Sequence, residues 1–568
     1  MRFFVTLLLA VLPLSVSAMD FGSGKDRVTL DINETLLFDW NSQLDDALLE
    51  PNPTDVFDLR NRLEFRLRWA KLAAGIRIDA ALFPNPPLLG DGSTLYKNDL
   101  RVEELFVNYK WGKLKLTLGD DYVALGRGMA LSLRKVDDLG FAMSLRGLHL
   151  QWRNKRLKLR ITSGYTNVVN VDGVEEKLIP DPHDFIVGTR LEVKAAKWLR
   201  LAGHFVDIER RFSPFSLETN DALGPLMSAS EQDISFLNPK PVRSMVAGGS
   251  LEVPDIAGKL SAYLEGNYLT NTKWINATNA DNANVVRQES DSGYAIYGSM
   301  SGYFGPVTML AEAKHYRDYK INASPHPSTY GVPGLTQVSE LQYIAAPTLE
   351  RIDQRWQENA NVTAGHLKVD YRLPEGKNRL FLSGAFFQDA PTTDEYTIHT
   401  YGGWEHKTDD GSRYILQAGF RGEEAPLQPL ATRLRMFHAD LDCYVKLGGK
   451  HDLQFHINHE FRTINPGAGA DLEDDYLEGT TYLSWNMAPH WSFTMQFEYL
   501  TNKMNCGNDG CSGDPWWYPG AFVVYKINQS SFVRLFGGKG KGGLKCSGGV
   551  CRVFPDFEGV KLDTTLRF

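Results

Sequence analysis

The chain ends with the stretch Glu558-Gly559-Val560-Lys561-Leu562-Asp563-Thr564-Thr565-Leu566-Arg567-Phe568. Its residues alternate in character, so that the side chains from Val560 to Phe568 at even positions form one apolar face of an extended strand. An open sheet edge with such a face invites aggregation. Closing the sheet into a barrel, with lipid outside and water inside, removes that edge. The stretch therefore predicts the last strand of a transmembrane β-barrel.

The first 18 residues have the composition of an export signal. Arg2 precedes an apolar run from Phe3 to Leu14, and Val16-Ser17-Ala18 is a small-residue cleavage site. Because the apolar run is too short to span a membrane, we expect residues 1–18 to be removed as a signal peptide. Residues 19–568 contain no linker or change of composition, and this uniformity predicts a single barrel domain. The net charge of −8, with 23% charged residues, argues against a nucleic-acid-binding protein.

Short and long connections alternate along the chain. Counting back from the closing strand, every second connection is a tight turn, for example Lys526 to Ser530, Gly112-Lys113 and Ala70-Lys71. The connections between them are rich in Pro, Gly, Asn and Asp, and we expect several to be longer than roughly 20 residues, for example 210–242, 271–291 and 318–359. Short periplasmic turns and long external loops are typical of outer-membrane barrels. The sequence therefore predicts an all-β protein, a transmembrane antiparallel up-and-down β-barrel of about 24 strands, within a range of roughly 22 to 26.

Aromatic residues recur beside the short turns. They are Trp69, Trp111, Trp152, Trp198, Phe304 and Trp491. This placement predicts a girdle at the periplasmic membrane interface. Few residues separate Ala18 from the first predicted strand at Val28, so we expect no N-terminal plug and hence no TonB-dependent importer.

The third long connection, from Asp120 to Arg146, differs in composition from the others. It lacks Pro, and it mixes small apolar residues with paired charges. We predict that it folds into the barrel as a constriction loop, because long ordered loops are often functional. The residues expected at the constriction are Arg127, Arg134, Asp137 and Asp138. An ordinary surface loop is the alternative.

The first third of the barrel places many charges on the predicted inner face. The expected lumen-lining residues are Arg62, Glu64, Arg66, Arg68, Arg77, Lys115, Arg153, Lys158 and Arg160. An excess of cations would give a mild anion preference. Cross-strand ion pairs would largely cancel it, and the mixed signs favour this second interpretation.

Four cysteines form two closely spaced pairs, Cys506 with Cys511 and Cys546 with Cys551. Both pairs fall in external loops and are exported to an oxidising compartment, which predicts disulfides. Three connectivities are possible for four cysteines, and we favour local pairing because each pair brackets a Gly-containing turn. A zinc site of four thiolates is the alternative. We predict no metal site.

Several motifs resemble those of a family of functionally uncharacterised, porin-like bacterial outer-membrane proteins. They are the run Gly119-Asp120-Asp121-Tyr122, then Gly126-Arg127-Gly128, Leu145-Arg146-Gly147, Pro347-Thr348-Leu349-Glu350 and the segment from Cys546 to Arg552. The terminal Phe568 is also similar to the end of the closing strand in outer-membrane barrels, where it marks the chain for the barrel assembly machinery. The resemblance implies a barrel in the outer membrane of a Gram-negative bacterium. It implies no substrate and no catalytic residue.

The sequence favours a monomeric, unplugged channel that passes small hydrophilic solutes. We find no catalytic or dinucleotide-binding motif, so we expect no enzymatic activity and no cofactor. The expected partners are outer-membrane lipid, the solute and the assembly machinery, while any further protein partner is unknown. The alternative function is a non-conducting barrel scaffold that encloses or displays a protein partner.

Overall fold

The structure is a computed structural model that describes the chain in segments. These are residues 19–22, 27–43, 54–86, 98–136, 141–168, 184–210, 242–278, 284–321, 343–344, 361–389, 396–424, 433–465, 474–501, 516–547, 550–554 and 556–568. The predicted signal peptide 1–18, Asp137, Asp138, Cys506 and Cys511 lie outside the described residues.

Twenty-four long strands form the wall of the protein. In chain order they are β1 (Val28–Gln43), β2 (Thr54–Trp69), β3 (Leu72–Asn85), β4 (Asp99–Trp111), β5 (Leu114–Asp121), β6 (Phe141–Arg153), β7 (Leu157–Val168), β8 (Phe185–Lys194), β9 (Arg200–Arg210), β10 (Val242–Ile256), β11 (Leu260–Thr278), β12 (Asn284–Phe304), β13 (Val307–Arg317), β14 (Val362–Arg372), β15 (Asn378–Asp389), β16 (Tyr396–Lys407), β17 (Arg413–Glu424), β18 (Arg433–Gly448), β19 (His451–Asn465), β20 (Asp474–Met487), β21 (Trp491–Leu500), β22 (Trp516–Lys526), β23 (Phe532–Gly540) and β24 (Phe557–Arg567). Each pairs antiparallel with the next, which confirms the predicted all-β, up-and-down architecture.

The wall closes where the last strand meets the first. β24 pairs with β1 from Asn33 opposite Arg567 to Asn41 opposite Gly559. Ile32 and Phe568 exchange two backbone hydrogen bonds, of 3.0 and 2.8 Å. Because β24 also pairs with β23, no long edge is left open at this seam. The predicted role of the C-terminal stretch as the closing strand is confirmed.

The alternation of connections is present throughout the wall. Every connection after an even-numbered strand is a turn of at most five residues. The connections after odd-numbered strands include the longest in the chain, 211–241 and 318–361. Phe568 pairs near the start of β1, so both ends of the wall lie on the side of the short turns.

One expected loop is wrong. The stretch 271–291 is mostly strand, because β11 continues to Thr278 and β12 begins at Asn284. Asn and Asp favour turns in isolation, but here the two strands continue their ladder as a two-stranded extension. The ladder satisfies the backbone groups that a loop would have left to water.

The two faces of the wall differ in polarity. In β21, Trp491, Phe493, Met495 and Phe497 are exposed on the outside, with Met495 69% exposed. Exposed Trp111 and Trp198 lie next to short turns on the same outer face, as a girdle requires. Among the described residues there is no helix that is long and apolar enough to cross a membrane.

Four pairings of short strands accompany the wall. Met19–Phe21 pairs with the start of β1, and Gly543–Ser547 forms a hairpin with Val550–Phe554 between β23 and β24. The other two belong to the connection between β5 and β6, where Ala124–Leu125 pairs with Leu131–Ser132 and Lys135–Val136 pairs with β6.

Candidate functional site

The connection between β5 and β6 enters the barrel. We call its residues 122–136 the inner segment. The Arg127 guanidinium carbon lies 3.9 Å from the centre of the Tyr263 ring, and Arg127 Nη1 donates a 3.0 Å hydrogen bond to Ser299 Oγ. Tyr263 and Ser299 are on the inner face of the wall, because their neighbours Leu264 and Met300 are exposed outside. The tip of the inner segment is therefore in contact with the inner surface of β11 and β12.

Within the inner segment the chain forms a small hairpin. Ala124–Leu125 pairs with Leu131–Ser132, and the Leu133 amide donates to the Val123 carbonyl at 2.8 Å. The turn uses Gly126 and Gly128, whose φ angles of 69° and 92° are accessible mainly to glycine. Arg127 lies between them, so the tight turn presents the arginine side chain at the tip of the hairpin.

Asp120 holds the base of the inner segment. Its Oδ2 accepts hydrogen bonds from the Leu105 amide at 2.8 Å and from Arg146 Nε at 3.0 Å. Its Oδ1 accepts from Ser144 Oγ and from Asn167 Nδ2, both at 2.9 Å. Asp120 is the penultimate residue of β5, whereas Ser144 and Arg146 lie near the start of β6. One buried carboxylate thus fixes both ends of the connection.

Apolar packing holds the hairpin against the wall. Val123, Leu125, Met129, Leu131 and Leu133 of the inner segment are almost completely buried. They belong to a cluster with inner-face residues of β8, β9, β10 and β11, namely Ile186, Val206, Ile208, Val246 and Leu269. Full burial of an aliphatic side chain of this size contributes about 1.5–3 kcal/mol. The burial of five such side chains therefore strongly favours a hairpin packed inside the barrel over a hairpin exposed to solvent.

Glu265 is fully buried beneath the tip of the hairpin. Its carboxylate accepts hydrogen bonds from the Arg127 amide at 3.0 Å, from Asn267 Nδ2 at 3.2 Å and from the Tyr263 hydroxyl. A buried carboxylate is tolerated only when such donors surround it. The hairpin supplies one of these donors, so the contact with the inner segment stabilises the buried carboxylate of the wall.

The hydrogen bonds continue away from Glu265 along β8 to β11. Asn267 Oδ1 lies 2.5 Å from His204 Nε2, and His204 Nδ1 lies 3.1 Å from Arg190 Nη1. Because Arg190 can only donate, this contact identifies Nδ1 as the acceptor and Nε2–H as the donor of His204. The donors run in one direction, from Arg190 through His204 and Asn267 to Glu265.

A second buried carboxylate lies on the other side of Arg127. Arg127 Nη1 is 3.5 Å from the Tyr297 hydroxyl, which donates to Glu312 Oε1 at 2.5 Å. Glu312 Oε2 lies 3.1 Å from His366 Nδ1, and His366 Nε2 lies 2.9 Å from Ser383 Oγ. The guanidinium thus stands between two buried acidic sites on the inner wall, Glu265 and Glu312.

External connections cover the other side of the hairpin. The Tyr319 hydroxyl donates to the Met129 carbonyl at 2.9 Å, and the Ser132 amide donates to the Tyr343 carbonyl at 2.7 Å. The Tyr343 hydroxyl donates to Asp184 Oδ2 at 2.5 Å. Burial raises the pKa of the Tyr319 hydroxyl above its usual range, so that it remains a hydrogen-bond donor.

The predicted constriction residues have different positions. Arg127 is exposed at the tip of the hairpin, inside the barrel. Arg134 is half-buried at the end of the inner segment, where its carbonyl accepts from the Met143 amide at 2.9 Å. Asp137 and Asp138 lie outside the described residues. Of the predicted set, Arg127 contacts the inner surface of β11 and β12.

The predicted lumen-lining residues alternate with apolar outer residues, so they lie on the inner face. Several are in ion pairs: Arg62 with Asp79 at 3.3 Å, Arg66 with Glu64 at 2.5 Å, Arg68 with Asp31, Arg77 with Glu104 and Asp79, and Lys158 with Glu192 at 3.5 Å. Arg160 donates to the Ala124 carbonyl at 2.9 Å, and with Lys115 it lines a small recess beside the hairpin. Arg153 is exposed near a short turn. Paired charges of both signs dominate this wall.

The sequence did not single out Glu265, Glu312, His204 or His366. The alternation of β11 places Glu265 on the inner face, because Leu264 and Tyr268 are exposed on the outer face. Alternation does not reveal which loop will cover an inner-facing acid. The partner, Arg127, is 138 residues away in the chain.

Three of the five cysteines, Cys443, Cys546 and Cys551, lie in the described residues. Cys546 and Cys551 are opposite each other in the hairpin formed by Gly543–Ser547 and Val550–Phe554. Cys443 is a free thiol on the outer face of β18. No group of three or more metal-ligating side chains occurs in the described segments.

The closed wall, its apolar outer face and its charged inner face define a transmembrane β-barrel of the outer-membrane type. Such barrels reside in the outer membrane of Gram-negative bacteria. The chain belongs to the family of unknown function DUF6029, whose model matches residues 1–213 and 441–568. This agrees with the predicted membership of an uncharacterised barrel family.

Solved outer-membrane barrels are similar in outline. The siderophore receptor PirA from Pseudomonas aeruginosa is 9% identical, with a TM-score of 0.43 over 95% of this chain and 80% of that chain. The outer membrane transporter YddB from Escherichia coli is 8% identical, with a TM-score of 0.46 over 98% and 83%. The copper transporter OprC is 11% identical, with a TM-score of 0.46 over 97% and 81%. At these scores nothing about the function of this chain follows. A comparison with curated proteins gave no significant match.

Proposed function

We propose that the protein is a porin-like channel for passive diffusion of small hydrophilic solutes, and that the inner segment narrows its lumen. The observation that carries the proposal is the hairpin inside the barrel, held at its base by Asp120 and at its tip by Glu265. A loop fixed at both places has a defined position, as a constriction needs. The exposed cation Arg127 is the part of the hairpin best placed to meet a solute.

The size of the barrel supports a narrowing role for the hairpin. Barrels of 16–18 strands already leave an aqueous channel, and diameter grows with strand number. A wall of 24 strands encloses a wider lumen, so selection of solutes by size requires a segment of the chain that narrows it. The inner segment provides such material along the face of β8 to β12.

The inner wall of the first strands supports a wet lumen. The Arg66 and Arg68 side chains are 51% and 64% exposed although they point inward. Their partners Glu64 and Asp31 offset their charge, so we expect only weak ion selectivity from this part of the wall. The solutes of this proposal are defined by size and polarity. The proposed solutes do not include the siderophore or copper named for the similar barrels, because the similarity to those proteins concerns the fold alone.

Single-channel recording in planar bilayers tests the proposal. Replacing residues 124–133 with a short Gly-Ser linker removes the hairpin, and we expect the conductance to rise. A matched control shortens the external connection 466–473, which should leave the conductance unchanged. Correct folding of each variant is checked by heat-modifiable migration on gels. An unchanged conductance after removal of the hairpin, or a folded wild-type barrel that is electrically silent, would overturn the proposal.

A further inference from the structure

Four consecutive short turns form a cationic stretch of the periplasmic rim. They are the turns that follow β2, β4, β6 and β8, and none of them contains an acidic residue. The eight basic residues in the turns or directly beside them are Lys71, Lys113, Arg153, Lys155, Arg156, Lys194, Lys197 and Arg200. All eight are exposed, and in the described part of the chain Arg200 alone among them forms a salt bridge, with Glu252. This concentration of positive charge contrasts with a net charge of −8 for the protein.

The turns after β14 and β16 differ from this stretch. Lys377, in the turn after β14, is paired with Asp409 of the turn after β16 at 2.8 Å. Glu375 and Asp410 add further negative charge to these two turns. Single lysines also occur in or beside three other turns, at Lys259, Lys450 and Lys526, so the basic residues are most concentrated in the first third of the barrel.

A recess lies within the cationic stretch. It is lined by Lys113, Asn154, Lys155 and Arg156, together with Leu157, Val193, Lys194 and Ala195. Leu157 and Val193 are cross-strand partners in β7 and β8, and they are on the outer face because the adjacent Lys158–Glu192 pair is on the inner face. The recess therefore combines an apolar floor that faces lipid with a basic margin.

The backbone around the recess is fixed. Asn154 Oδ1 accepts from the amides of Arg156 and Leu157, both at 2.7 Å. The Arg153 amide donates to the Lys113 carbonyl at 3.0 Å, and the Lys194 amide donates to the Arg156 carbonyl at 2.7 Å. Neighbouring turns are thus linked to one another, so little backbone ordering is needed when an anion binds.

The surroundings indicate which anion fits. Trp111 and Trp198 are 70% and 58% exposed at the same end of the barrel, the depth at which tryptophans meet lipid headgroups. Basic pockets at this depth bind anionic headgroups, with the acyl chains beside the apolar wall. A soluble acidic protein would leave the floor of Leu157 and Val193 unused. We propose that the recess binds the headgroup phosphate of an anionic phospholipid in the periplasmic leaflet.

Native mass spectrometry of the purified barrel, with phosphatidylglycerol or phosphatidylcholine added at equal concentration, tests the site. The variant K113S/K155S/R156S removes three cations from the recess. The matched control K377S/K450S/K526S removes three from the rest of the rim. We expect the wild type and the control to retain phosphatidylglycerol, and the recess variant to bind it roughly 100-fold more weakly. Equal losses in both variants, or equal retention of the two lipids by the wild type, would overturn the proposal.

Two further measurements use the wild-type protein, so they do not depend on the folding of a variant. They also distinguish a lipid headgroup from a soluble anion. A photoactivatable phosphatidylglycerol on the wild-type protein should label peptides that contain residues 154–157 or 193–195, and labelling confined to other regions would contradict the assignment. Inorganic phosphate in excess should leave the bound lipid in place. Displacement of the lipid by phosphate alone would make the recess a site for soluble anions and would refute the lipid assignment.

Discussion

The close contact between Gly126 and Glu265 shows how single side chains fix the inner segment. A Cβ atom added at Gly126 would lie 2.0 Å from Glu265 Oε1, far inside van der Waals contact. Glu265 cannot easily move aside, because its carboxylate is buried and accepts three hydrogen bonds. The position therefore requires glycine both for its φ angle and for space.

We expect Gly126→Ala to loosen the hairpin, with a cost of about 1–3 kcal/mol from crowding in addition to the backbone strain. Gly258→Ala is a matched control, because Gly258 has nearly the same φ angle, 70° against 69°, and nothing within 4 Å of the added atom. Limited proteolysis of the folded barrels should cut the inner segment faster in Gly126→Ala than in Gly258→Ala. Equal rates would show that the contact with Glu265 does not hold the hairpin.

Some of these residues can be recognised from the sequence alone. The spacing of Gly126, Arg127 and Gly128 identifies a tight turn with a cation at its tip, since glycine permits positive φ. It does not identify Glu265, because the partner of a loop residue depends on how far the loop reaches across the lumen. Long-range contacts of this kind leave no local pattern in the chain.

Strands were predictable because each one carries its own signal. Alternation defines the face of every residue, and turn chemistry bounds the strand, as at Ala70-Lys71 and Gly112-Lys113. The prediction was wrong at 271–291, where polar residues continue β11 and β12. It also missed the apolar inner face of β8 to β10, where Ile186, Val206 and Val246 are buried under the hairpin. Alternation alone predicts that inner positions meet water, but here the folded hairpin covers them.

The hairpin between β23 and β24 makes a prediction about disulfide pairing. Residues directly opposite in an antiparallel pair have Cα atoms about 4.5–5.5 Å apart, a spacing that a disulfide can bridge. Cys546 and Cys551 occupy such positions, so we expect them to be linked to each other. Trypsin cuts after Lys545 and Arg552, so the linked pair should appear in one peptide, lighter than its reduced form by two hydrogens.

Thiol alkylation before digestion provides the control. Cys443 should be alkylated once the protein is unfolded, because it is a free thiol. Alkylation of both Cys546 and Cys551 without reduction would show that they are free. A cross-linked peptide that joins either of them to Cys506 or Cys511 would show non-local pairing and would contradict the expectation.

Closure of the barrel gives it two different rims. Because β24 returns to β1, all short turns and the Phe568 end lie at one rim, and the longest connections lie at the other. The proposed channel and the proposed lipid site both depend on this polarity. The external connections cover the hairpin, and the basic recess faces the periplasmic leaflet.

The polarity predicts which connections can be reached from outside the cell. β16 joins two adjacent connections of similar length, 390–395 before it and 408–412 after it. We expect an epitope inserted at position 392 to bind antibody on intact cells, and the same epitope at position 410 to bind only after the outer membrane is permeabilised. Whole-cell immunofluorescence measures both, and because the two sites share one strand, they serve as controls for each other. Binding at 410 on intact cells without binding at 392 would reverse the orientation, and with it the assignment of the basic recess to the periplasmic leaflet.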